Sequence, residues 1–154
     1  MASPDDTLIL DTTKGLVTIA LRPDLAPKHV ERIKQLVREG FYDGLSFHRV
    51  IDGFMAQGGC PDGTGMGGSS YPDLEAEFSD EPHVRGICSM ARARSPNSAN
   101  SQFFICFDDA TFLDGQYTVW GQVVSGMEAV DLFARGEPVR NPDRINTATI
   151  GADA

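Results

Sequence analysis

The sequence predicts a mostly β fold, an antiparallel barrel or sandwich carrying two helices. Three observations carry this expectation. Short runs rich in β-branched and aromatic residues recur between turn residues along the whole chain. Only two runs place apolar residues at helical spacing. The length of 154 residues suits one core of useful size, so a single domain over 1–154 is expected, with 1–6 and 152–154 as frayed tails.

The elements follow in order. Residues 8–11 and 16–21 read as strands joined by a tight turn at Thr12-Thr13-Lys14-Gly15, with Val17 and Ile19 alternating against Thr18 and Ala20. A helix over 27–39 starts on Pro27, which is tolerated at a first helical position, and stops before Gly40. Val30, Ile33 and Val37 give it an apolar stripe, and His29 near its start is expected in solvent. Further strands are expected over 46–51, 54–58, 86–91, 102–107, 118–124 and 144–150. The run 127–134 reads as a second helix. Pattern alone does not choose between barrel and sandwich.

The net charge of −9 argues against nucleic acid and anionic membranes as partners, since both need clustered Lys and Arg. No apolar run has transmembrane length, and residues 1–6 show no basic or apolar leader region, so a cytoplasmic protein is expected. Cys60, Cys88 and Cys106 have unrelated spacings and no Cys/His ligand pattern. Cys88 and Cys106 read as small buried residues, and Cys60 as an ordinary loop cysteine. Gly63-Thr64-Gly65-Met66-Gly67-Gly68 formally matches a dinucleotide fingerprint, but Ser69-Ser70-Tyr71-Pro72 follows where a helix must open. The glycines instead suit a sharp turn beside a bound chain.

The chemistry concentrates in Phe47-His48-Arg49-Val50-Ile51-Asp52-Gly53-Phe54-Met55-Ala56-Gln57-Gly58-Gly59. Strand alternation puts Phe47, Arg49 and Ile51 on one face and His48 and Val50 on the other. An arginine between apolar neighbours needs a carboxylate partner or a ligand. Far along the chain come Ser89-Met90-Ala91-Arg92, Ser101-Gln102-Phe103-Phe104-Ile105, Phe112-Leu113-Asp114-Gly115 and Tyr117-Thr118-Val119-Trp120-Gly121. In this order the motifs resemble the cyclophilin family of peptidyl-prolyl isomerases over roughly residues 8–150, and the short Gly40-Phe41-Tyr42-Asp43-Gly44 connection and the Met90-Ala91-Arg92 run look most like its compact bacterial subset.

The resemblance implies a closed eight-stranded antiparallel barrel with a helix at each end. It implies catalysis of Xaa-Pro rotation in peptides and in unfolded or flexible proteins, without metal or organic cofactor, by a monomer that assists folding. Arg49 would donate to the prolyl nitrogen. Phe54, Met55, Phe104 and Leu113 would form the proline socket, with Phe112 at its rim. Gln57 would bond the peptide backbone and orient Arg49, Gln102 would lie opposite, and the Ala91–Arg92 backbone would pair with the peptide before the proline. Phe103 alternates with Gln102 and Phe104 and so reads as core. Phe112 stands where many eukaryotic members carry Trp, Tyr117 where they carry His, and Arg92 where they carry Asn. The first change implies only weak cyclosporin binding. Three other readings share parts of the pattern: a proline-peptide binding module or holdase, a lipocalin-like barrel and a hydrolase. The last lacks a recognisable nucleophile elbow around any Ser or Cys.

Overall fold

The computed structural model describes residues 3–154. Eight strands form one antiparallel sheet: β1 (Thr7–Thr12), β2 (Gly15–Leu21), β3 (Arg49–Ile51), β4 (Met55–Gly58), β5 (Ile87–Met90), β6 (Phe103–Cys106), β7 (Val119–Ser125) and β8 (Ile145–Ile150). Their spatial order is β3-β4-β6-β5-β7-β2-β1-β8. The helices are α1 (Pro27–Arg38) and α2 (Met127–Asp131). No helix is long and apolar enough to cross a membrane among the described residues.

The expectation of a closed barrel is overstated. The outer strands β3 and β8 share no ladder; the sheet curls until the residues just before each of them meet. There Phe47 N–H donates to Asp143 O at 2.8 Å, Ile145 N–H to Leu45 O at 2.9 Å, and Ser46 bridges Arg144. This also explains why β3 begins at Arg49 rather than residue 46: the stretch before it bonds to a different partner from the strand itself.

The interior of the curl holds the main core, with Leu8, Leu10, Val17, Ile19, Val50, Ile105 and Ile150 from the strands. Phe103 sits at its centre, edge-on to Tyr42, Phe47 and Trp120 at centroid distances of 5.6, 6.0 and 5.7 Å. Helix α1 closes one side with Val30, Ile33, Leu36 and Val37. Its end is a Schellman turn: Gly40 takes φ +76°, its N–H reaches Val37 O, and Phe41 N–H reaches Leu36 O.

The start of α1 corrects the placement of His29, which is fully buried. The loop carrying Glu77 folds over the helix N-terminus, and this carboxylate accepts the Lys28 and His29 N–H groups at 3.3 and 2.8 Å and meets His29 Nδ1 at 2.6 Å. An aperiodic loop supplies the cap, so local sequence cannot show it. Helix α2 is shorter than expected. The Arg135 guanidinium takes the Asp131 and Phe133 carbonyls, and Asp143 takes the Ala134 N–H at 2.8 Å, which ends the helical ladder. At the termini, where fraying was expected, Pro4–Asp6 and Gly151–Asp153 form short 3₁₀ turns. Met1 and Ala2 lie outside the described residues.

Candidate active site

The sheet register aligns the site. Arg49 pairs with Gln57 across β3 and β4, Gln57 with Phe104 across β4 and β6, and Phe104 with Ser89 across β6 and β5. Directly paired residues share a face, so these side chains form one row. The adjacent row, Val50, Ala56, Ile105 and Cys88, points into the main core. The row bearing Arg49 therefore lies on the outer face. A second apolar cluster covers that face, with Met55, Phe104, Leu113 and Val119 buried and Phe54, Ile51 and Tyr117 partly so. Phe103 and Phe104 thus go to opposite sides of the sheet, as alternation predicts.

Arg49, Phe54, Met55, Gln57, Ala91, Arg92, Phe104, Leu113 and Tyr117 come together around a cavity of about 140 Å³. Phe112 stands beside it, largely exposed, with its ring 5.6 Å from that of Phe54. Tyr117 sets its ring edge-on to Phe104 at 5.7 Å. The Arg92 guanidinium lies 4.6 Å from the centre of the Tyr117 ring and donates to Gln116 O at 2.8 and 3.1 Å. Its side chain therefore braces two loops, beyond the backbone role expected of it. Gln102 lines an adjoining cavity of about 430 Å³ together with Gln57, Ala91, Arg92, Asp73 and residues 65–69.

A directed hydrogen-bond chain runs between the two cavities. Gln102 Nε2 donates to Gly65 O and Gly67 O, both at 2.9 Å. Gln57 Nε2 donates to Gln102 Oε1 at 3.0 Å, and Arg49 Nη1 to Gln57 Oε1 at 3.3 Å. Arg has no acceptor, so it can only end such a chain, and the glycine-loop carbonyls fix the orientation of both amides. The Gly-rich loop contributes carbonyls here, where a phosphate cradle would offer N–H groups. Arg49 Nε donates to Glu137 Oε1 at 2.9 Å, so Arg49 is not the only charge in this region. Of the two alternatives for an arginine in this setting, a carboxylate partner or a ligand, Glu137 is a carboxylate partner, and the same arginine also lines a cavity.

Alternation fails at Phe47, which enters the main core with Val50, three residues on. His48 is also buried, with Nε2 3.4 Å from where a β-carbon on Gly65 would lie. Simple parity therefore does not separate His48 from Arg49. Burial, then the Arg49 charge, push the His48 pKa below its ordinary value, which keeps the ring neutral near pH 7. Activity per folded molecule should be flat from about pH 6.5 to 9, as followed by NMR exchange on a non-ionisable Ala-Pro peptide. An inflection that His48→Gln removes from a folded protein would show that protonation enters the reaction.

Burial likewise lowers the pKa of His29 and of His83, against the pull of Glu77 and of Asp114. The unfolded chain then takes up protons that the folded chain resists. This stability is complete above the unfolded pKa of about 6.5 and is lost as pH falls toward the depressed folded values. The urea midpoint should be lower at about pH 5.5 than at pH 7.5; an unchanged midpoint would contradict the burial of these rings.

Behind Phe104 lies an arrangement that sequence reading missed. His83 stacks on Phe104 at 6.1 Å, meets Asp114 Oδ1 through Nδ1 at 3.0 Å and Ser89 Oγ through Nε2 at 2.9 Å. The order is that of a serine hydrolase, but Ser89 and His83 are fully buried and Ser89 Oγ lies 3.0 Å from Thr118 O. No substrate carbonyl can reach that oxygen, so the group buttresses the Phe104 wall. Cys60 is buried too, its thiol 3.0 Å from Asp62 Oδ1 and its sulfur accepting the Gly65 and Gly67 N–H groups at 3.3 Å. It organises the loop whose carbonyls hold Gln102.

The model of the cyclophilin-type peptidyl-prolyl cis-trans isomerase family matches residues 7–150. A Brucella suis protein named as a probable peptidyl-prolyl cis-trans isomerase is 58% identical over 168 residues, covering 99% of this chain and 86% of the relative. The crystal structure of the cyclophilin AquaCyp293 of Hirschia baltica superposes with a TM-score of 0.92 at 32% identity, covering 99% of this chain and 76% of that one. A Cryptosporidium parvum cyclophilin-type isomerase, solved in the presence of the dipeptide Ala-Pro, gives a TM-score of 0.87 at 30% identity, covering 94% and 98%. With the fold, the motif order and these likenesses in agreement, the chain belongs to the cyclophilin family and is a cyclophilin-type peptidyl-prolyl cis-trans isomerase.

Proposed function

We propose that Arg49 is the catalytic group and that the 140 Å³ cavity beside it receives the proline ring of a peptide or unfolded chain. The observation that carries this reading is a braced arginine at the edge of an apolar socket. Rotation about Xaa-Pro must break amide resonance, at a barrier of roughly 18–20 kcal/mol. In the twisted state the prolyl nitrogen recovers its lone pair, so a donor placed there binds the transition state better than the ground state. A guanidinium needs no proton exchange to act as a donor, and that of Arg49 has N–H groups left after Gln57 and Glu137 are served. No proton moves, so no acid or base is required.

Phe54, Met55, Phe104 and Leu113 hold the ring, while Ala91 and Arg92 offer backbone to the chain before the proline. That chain would run on into the 430 Å³ cavity, where Gln57 and Gln102 offer polar contacts. The Ala-Pro dipeptide with the Cryptosporidium relative supports this class of ligand. The test is NMR exchange on an Ala-Pro peptide with catalytic amounts of protein. Enhanced exchange is expected; binding without enhanced exchange would make the protein a holdase.

Cyclosporin should inhibit weakly, because Phe112 lacks the indole N–H and larger face of Trp at the exposed rim. Phe112→Trp should tighten inhibition more than it changes turnover of a short peptide. Tight inhibition of the wild type in a cyclosporin titration would refute this.

A further inference from the structure

The Arg49 guanidinium has two partners on different edges, and only one of them belongs to the strands that build the socket. Gln57 meets Nη1 from β4. Glu137 meets Nε from a segment 88 residues away in sequence. We propose that Glu137 is a positioning residue for Arg49, fixing the guanidinium so that its free N–H groups face the prolyl nitrogen; this rests on the role given to Arg49 above.

The segment bearing Glu137 is anchored on both sides of Arg49. Gly136 exchanges both backbone hydrogen bonds with Val50, at 2.9 and 2.8 Å, and Val139 N–H reaches His48 O at 2.9 Å. Val139 is buried in the main core. Gly136 takes φ +153°, and a β-carbon there would lie 2.7 Å from Pro138 O, so the bend that delivers Glu137 depends on glycine. The carboxylate thus rides on backbone that cannot shift without moving the residues flanking Arg49.

One bond to Gln57 would let the planar guanidinium pivot about Nη1. A second bond, to Nε, removes that freedom, because turning about Cδ–Nε breaks one bond or the other. Among the described residues Nη2 has no hydrogen-bond partner, and the Arg49 side chain lines the cavity. The side chains of Arg49 and Glu137 are 43% and 54% exposed, and an ion pair so open to water adds little to folding. Its effect falls on orientation, where an error on the order of 1 Å can cost about a hundredfold in rate.

The test compares Glu137→Ala and Glu137→Gln by NMR exchange, alone and combined with Arg49→Ala. Glu137→Ala should lower the catalysed rate about tenfold with peptide affinity nearly unchanged, because the loss is confined to the transition state. Glu137→Gln keeps an acceptor oxygen and should recover most of that loss. With Arg49 already replaced, Glu137→Ala should cause no further loss, since there is nothing left to position. A wild-type rate for Glu137→Ala, beside a crippled Arg49→Ala, would overturn the positioning role alone. Equal losses in both backgrounds would reduce Glu137 to a structural part of its loop. A wild-type rate for Arg49→Ala would overturn the catalytic reading itself and this inference with it.

Discussion

Arg49→Ala should isomerise an Ala-Pro peptide about two to three orders of magnitude more slowly than the wild type, the scale seen when one preorganised transition-state donor is removed. The fold should survive. Arg49 is half-exposed on the outer face of the sheet, and its partners Gln57 and Glu137 keep other bonds or access to water once it is gone. Gln57 remains tied to Gln102, and Gln102 to the glycine-loop carbonyls, so the polar side of the site stays in place without its terminal donor. Arg49→Lys should also be poor. Its single ammonium cannot meet Glu137 and Gln57 at different edges of a plane while donating to substrate. Exchange rates near wild type in both variants, with unchanged circular dichroism, would sink the mechanism.

What the sequence shows depends on the range over which each feature is determined. The strand cores and α1 are local matters of alternation and spacing, and they fall where the pattern puts them. Ser46-Phe47 departs because it lies against Asp143 and Arg144, nearly a hundred residues on, with Phe47 N–H bonded to Asp143 O, which no local period encodes. His29 departs because Glu77 arrives from a loop without periodicity. The same holds in the site. Arg49, Phe54, Met55 and Gln57 lie on one hairpin, and the motifs order them; Gln102, Phe104 and Leu113 follow from the remaining motifs. Glu137 carries no such signal, since a lone acidic residue before Pro138 reads as an ordinary turn. His83 is hidden for the same reason, and only the fold brings it to Ser89 and Asp114.

The sharpest local test of that reading is a pair of neighbours. Phe103 and Phe104 differ by one position and by the whole thickness of the sheet. Phe103→Ala should cost about 3–5 kcal/mol of folding stability, the usual range for truncating a buried phenylalanine. The ring is 2% exposed and is met edge-on by Tyr42, Phe47 and Trp120, three rigid rings that cannot collapse into the space it leaves. The molecules that remain folded should isomerise peptide at close to the wild-type rate, because no atom of Phe103 borders the socket. Phe104→Ala should behave in the opposite sense. It opens the socket wall held by Tyr117 and His83, and so should lower the catalysed rate and weaken peptide binding by more than its loss of stability explains. Urea denaturation gives the stability of each variant, and NMR exchange scaled to the folded fraction gives its rate. A stable Phe103→Ala, or one whose folded fraction is inactive while Phe104→Ala is not, would mean that the two faces of β6 have been assigned the wrong way round.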